Sequence, residues 1–75
     1  MEGFGIMKIT KQYLEEANMF EHNIKLFDKK GRVFIGYLEK PYGLSPSDSI
    51  RVLLKEKDKI FKFQLNNIDW IEKIY

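Results

Sequence analysis

Cysteine is absent from this 75-residue chain, which excludes disulfides and thiolate metal sites. Histidine occurs once, at His22, next to Asn23 and far in sequence from any other candidate ligand, so a capping or surface role is expected and a metal site is not. Ser45, Ser47 and Asp48 have no histidine or glycine elbow to accompany them, and Glu15-Glu16 lack visible partners for a cation. No acid, base or nucleophile can be nominated, and the expectation is a protein that is not an enzyme and needs no cofactor or metal. Apolar runs are too short to span a bilayer, and the first residues lack the basic start and the apolar core of about 7–15 residues of a secretory signal. A soluble, cytoplasmic protein without membrane partners is expected.

What is present is β-rich. Hydrophobic residues make up 44% of the chain and charged residues 32%, the balance of a folded protein with a well-solvated surface. The clearest signal is Ile24 to Leu38. Ile24 and Leu26 alternate with polar neighbours, Asp28-Lys29-Lys30-Gly31 is a turn with glycine available for positive φ, and Arg32 to Leu38 is rich in β-branched and aromatic residues. That is a hairpin. Gly36 sits inside its second strand, where glycine weakens packing unless the strand bends or another backbone comes close.

On either side of the hairpin the chain reads as follows. Residues 1–9 form a flexible leader. Thr10 caps a short amphipathic helix over 10–20, with Tyr13, Leu14, Ala17 and Phe20 on one face, and Asn18 or Glu21-His22-Asn23 ends it. Pro41, Gly43 and Pro46 make 40–49 a long loop rather than a central strand. A third strand runs from Ser49 or Ile50 to Lys55, Glu56-Lys57-Asp58 turns it, and a fourth covers Lys59 to Leu65 with Phe61, Phe63 and Leu65 on a half-buried face. Asn66-Asn67 breaks the chain tightly, with room for one turn of tight helix, and Ile68 to Tyr75 is the fifth strand. Its alternation sets Ile68, Trp70 and Ile74 on one side against Ile71 and Tyr75 on the other. The fold expected is a single, mainly β domain: a short N-terminal α-helix followed, over 23–75, by a five-stranded, strongly bent open barrel. A core this small contributes only about 3–5 kcal/mol, so self-association is expected through an unpaired edge.

Gly31-Arg32-Val33-Phe34-Ile35-Gly36-Tyr37-Leu38 resembles the first motif of the Sm, Lsm and Hfq-like proteins, in which a turn glycine and a basic residue lead into a strand bent at a second glycine. The helix, the strand order and the short last connection extend the resemblance over most of the chain. It implies a homo-oligomeric ring in which the fourth strand of one subunit pairs with the fifth of the next. Single-stranded RNA would be held by loops 40–49 and 65–68. The residues such proteins use to read a base are not matched: Ser49 stands where an asparagine is expected, and Asn66-Asn67 stand where a basic pair is usual.

The charge distribution is compatible with the same partner and equally with lysines that solubilise turns and edges. Residues 1–22 carry two lysines against four glutamates, whereas residues 23–62 carry ten Lys/Arg against five Asp/Glu, so a polyanion would meet the β part. Candidate RNA-binding residues are Lys40, Tyr42, Asn66 and Asn67 on the two loops, with Lys29, Lys30 and Arg32 at the hairpin turn as phosphate contacts. Trp70 is expected in the core or at a subunit interface. The alternative reading is a small protein-binding or ligand-sequestering barrel of SH3-like or Sm-like shape, of the kind phages and mobile elements encode to block a host factor.

Overall fold

The computed structural model describes residues 9–41 and 48–74. Thr10 is extended (φ −125°, ψ 161°) and its Oγ1 accepts from the Tyr13 amide at 3.0 Å, opening α1 (Lys11–Glu16) where a cap was expected. The helix is shorter than the expected 10–20. Asn18 takes a left-handed φ of 57°, its amide donates to Glu15 O, and the Met19 amide donates back to Leu14 O at 2.9 Å. This pairing of bonds closes the helix after Ala17 and packs buried Met19 over buried Leu14. Ile9, the last residue of the expected leader, is itself buried in the core; the rest of that stretch lies outside the described residues.

Five strands follow: β1 (Asn23–Asp28), β2 (Val33–Leu38), β3 (Ser49–Leu54), β4 (Lys59–Gln64) and β5 (Ile68–Lys73), with a 3₁₀ turn over Leu65–Asn67 between the last two. They form one antiparallel sheet in the order β4-β3-β2-β1-β5, with β4 and β5 as its two edges, so the sheet does not close on itself. The protein is mainly β with one short helix, as the sequence indicated.

Alternation sets the faces. Ile24, Leu26, Leu38, Ile50, Val52, Leu54 and Ile71 point to the core side, where Ile9, Leu14 and Met19 cover them. Gly36 belongs to this side and explains itself: a Cβ there would lie 2.3 Å from the Leu53 carbonyl oxygen and 2.8 Å from Val52 Cγ1. The nearest of these atoms is backbone, and the missing Cβ is what lets β3 pass this close to β2.

β5 departs from the expected alternation. Ile71 stands opposite Leu26 and Trp70 opposite Phe27, but the register shifts next, and Ile68 faces Asp28. One extra residue, Asp69, is accommodated there, so Ile68 turns inward with Ile71 rather than sharing a side with Trp70. Leu65 also leaves the expected fourth strand; it starts the 3₁₀ turn and is buried there.

Candidate nucleic-acid interface

The β1–β2 turn is held by one carboxylate. Asp28 Oδ1 accepts from the amides of Lys30 (3.0 Å) and Arg32 (2.8 Å), Oδ2 accepts from Arg32 Nε (2.7 Å), and Gly31 supplies the left-handed residue at φ 84°. Burial of Asp28 would raise its pKa. The bonds from the Arg32 amide, the Arg32 guanidinium and the Lys30 amide, together with the arginine charge, outweigh that and hold the carboxyl below its ordinary 3.8. Arg32 is therefore occupied with Asp28 and also stacks its guanidinium 5.7 Å from the Phe34 ring centre. Lys29 and Lys30 remain exposed at the tip.

The 3₁₀ turn carrying Asn66 and Asn67 sits between two other turns. On one side the Lys29 amide donates to the Asn67 carbonyl at 3.0 Å; on the other the Leu65 amide donates to the Asp48 carbonyl at 2.8 Å. These two backbone bonds bring the end of the long β2–β3 connection, the asparagine turn and the lysine turn into one line. Beside it, Ile9, Thr10 and Lys11 at the start of α1 join Asp48, Gln64, Leu65 and Asn66 around a hollow of about 380 Å³. Asn66 and Asn67 are exposed, and Lys11 brings a cation to the rim. Amide, carboxylate and ammonium groups around a partly apolar floor can accept and donate to a base edge while lysines meet phosphate.

Of the residues nominated from sequence, Lys29, Asn66 and Asn67 are thus brought together and Lys30 lies on the same tip. Lys40 is elsewhere, lining a separate groove of about 390 Å³ with Phe20, Glu21 and Pro41; Lys11 borders both hollows. Tyr42 lies outside the described residues. Lys11, Gln64 and the hollow-facing position of Asp48 were missed. The capping signal at Thr10 places Lys11 in the first helical turn, but only the fold brings the start of α1 to the same hollow as the 3₁₀ turn. His22 is used locally, its Nδ1 standing 3.0 Å from the Phe20 carbonyl. No group of three or more His, Asp or Glu among the described residues is placed to hold a metal ion, and no helix among them is long and apolar enough to cross a membrane.

Comparison of the chain with known protein families, curated proteins and solved structures finds no match.

Proposed function

We propose that this chain is a non-enzymatic, cytoplasmic RNA-binding module of Sm-like type, a small bent barrel that acts as a homo-oligomer and holds single-stranded RNA along its aligned turns. The observation that carries the reading is the pair of bonds Lys29 N to Asn67 O and Leu65 N to Asp48 O, which unites two loops nominated for RNA contact with the lysine turn. Stacking is a smaller part of this site than charge and amide hydrogen bonding, so binding is salt-sensitive and weakly selective for sequence.

Self-association is supported by the two edges. β4 is exposed at five of its six positions and presents Lys59 and Lys62, with Phe61 at 36% exposure on its core-side face. β5 presents Asp69 and Glu72. Free strand edges of opposite charge favour pairing of β4 in one subunit with β5 in the next over like-with-like pairing.

The test combines solution mass with RNA binding. Light scattering after nuclease treatment is expected to return a defined oligomer, and labelled single-stranded RNA is expected to bind with an affinity that falls as salt rises. The double variant Lys29→Glu, Lys30→Glu should weaken binding at least about tenfold and flatten the salt dependence by about one unit of log–log slope per lost contact. A monomer that retains no single-stranded RNA at low salt sinks the reading.

A further inference from the structure

We propose that the sheet face opposite the core is a docking surface for an acidic, amphipathic peptide segment of another protein. The proposal does not rest on the RNA reading, because it uses a different face and different residues. Of the five exposed large hydrophobics among the described residues, four lie on this face: Val33 (48%), Ile35 (45%), Ile60 (44%) and Tyr37 (36%). The register connects them. Tyr37 pairs with Leu53 and Leu53 with Ile60, giving an apolar row from the sheet centre to the β4 edge, while Val33, Ile35 and Tyr37 form a column along β2. Scattered exposed hydrophobics need no explanation; a connected set across three strands does.

Charge selects the occupant. Ile35 stands opposite Lys25 on β1, and on its other side its carbonyl accepts from the Lys55 amide. Lys62 stands two residues along β4 from Ile60. None of these three lysines has an ion pair among the described residues, although Lys25 stands across from Glu72 and holds its Nζ 5.4 Å from the Phe27 ring centre. The face also carries Arg51 with Glu39 beside it at 3.8 Å, and Glu72, which accepts from Trp70 Nε1 at 3.0 Å. The lysines around the apolar column therefore outnumber the carboxylates that face them in register, Glu72 opposite Lys25 being the one, and a partner with acidic groups on either side of apolar anchors matches the surplus. A second copy presenting the same face would bring lysines toward lysines. RNA would match the charge but not the floor, since three of the four exposed side chains are branched aliphatics rather than flat rings on which bases stack.

The anchor has a place to go. Val33, Phe34 and Ile35 form one wall of a groove of about 430 Å³, and Leu54, Lys55, Glu56 and Lys57 form the other. β2 pairs with β3 only from Gly36 onward, apart from the bond to Ile35, so Val33 and Phe34 run past the β3–β4 turn and leave this gap. A leucine or phenylalanine of the incoming segment fits the groove while its carboxylates reach Lys55 and Lys25.

The experiment uses fluorescein-labelled peptides in which leucine and phenylalanine alternate with glutamate, the matching lysine peptides, and labelled oligouridylate, each titrated into the full chain at physiological salt. The glutamate peptide should bind at least about tenfold more tightly than its lysine counterpart. Ile35→Ser should cost the glutamate peptide about tenfold or more while RNA binding and solution mass stay as they were. Lys25→Glu with Lys55→Glu should reverse the preference toward the lysine peptide, a gain that unfolding cannot mimic. The proposal is overturned if the two peptides bind alike, if Ile35→Ser leaves peptide affinity intact, or if charge reversal does not shift the preference. It is overturned also if oligouridylate displaces the peptide, which makes the face a nucleic-acid surface, or if Ile35→Ser breaks up an oligomer, which makes it a contact between copies.

Discussion

The two hairpins, β1–β2 and β3–β4, each join six-residue strands through a short turn with one left-handed residue, yet they are built to different standards. In β1–β2 the turn residue is Gly31, and the buried Asp28 carboxylate ties down the amides of Lys30 and Arg32. In β3–β4 the left-handed residue is Asp58 at φ 50°, and the bond from its amide to Leu54 O at 2.9 Å is what closes the turn. The first hairpin is central, with both strands paired on both sides; the second donates an edge whose residues stay largely exposed. Proximity to neighbours explains the contrast. A central hairpin must hold register for two adjoining strands and carries the turn that meets Asn67, whereas an edge hairpin is free on one side to meet a partner.

The largest expected effect breaks the central hairpin at its closest approach. Gly36→Ala places a methyl against the Leu53 carbonyl, which cannot move without separating β2 from β3, so we expect a loss of about 3 kcal/mol or failure to fold, read as a drop in the urea midpoint. An alanine at exposed Phe61 of the edge strand should cost the monomer far less. Next comes the carboxylate. Because Asp28 has its pKa held below 3.8 in the folded chain, the stability it supplies is fully present above that value and is lost as the pH falls through its lower, folded-state pKa. Asp28→Asn should therefore lower stability at neutral pH and flatten the acid limb of a stability-against-pH curve; an unchanged acid limb would show that Asp28 does not supply it.

How far the fold could be read in advance follows the same division between local and distant causes. Thr10, the Asp28–Gly31 turn and the need for glycine at position 36 were legible because each is answered by residues close in sequence or by a single steric demand. The sequence offers two ends for α1, Asn18 or Glu21–Asn23, since Asn18 can either continue a helix or close it, and the buried seat of Met19 chooses the first. The slip at Asp69 was not legible: it depends on which residues of β1 stand opposite. In the candidate site the lysine turn could be nominated from charge and the asparagine turn from the family resemblance, but only the fold sets Lys11 on the same hollow as Asn66 and Lys40 on a separate groove. Ile60 shows the same limit. Alternation along β4 drew attention to Phe61 and Phe63, and only the order of strands aligns Ile60 with Leu53 and Tyr37.

The smallest effects sharpen the comparison because they should differ in sign. At Gly31 the backbone is left-handed and a Cβ meets nothing within 4 Å, so Gly31→Ala tests conformational strain without a clash and should cost about 1 kcal/mol. Asp58 already carries that strain in the edge hairpin, at φ 50°. Asp58→Gly relieves it, and the relief is opposed by the greater freedom glycine gives the unfolded chain, leaving a gain of only about 0.5 kcal/mol. Thermal melts of the two variants side by side should therefore move in opposite directions, the first by several degrees and the second by a few at most. If Asp58→Gly is destabilising instead, the aspartate side chain contributes to its turn as Asp28 does to the other, and the two hairpins are closer in construction than their hydrogen bonds indicate.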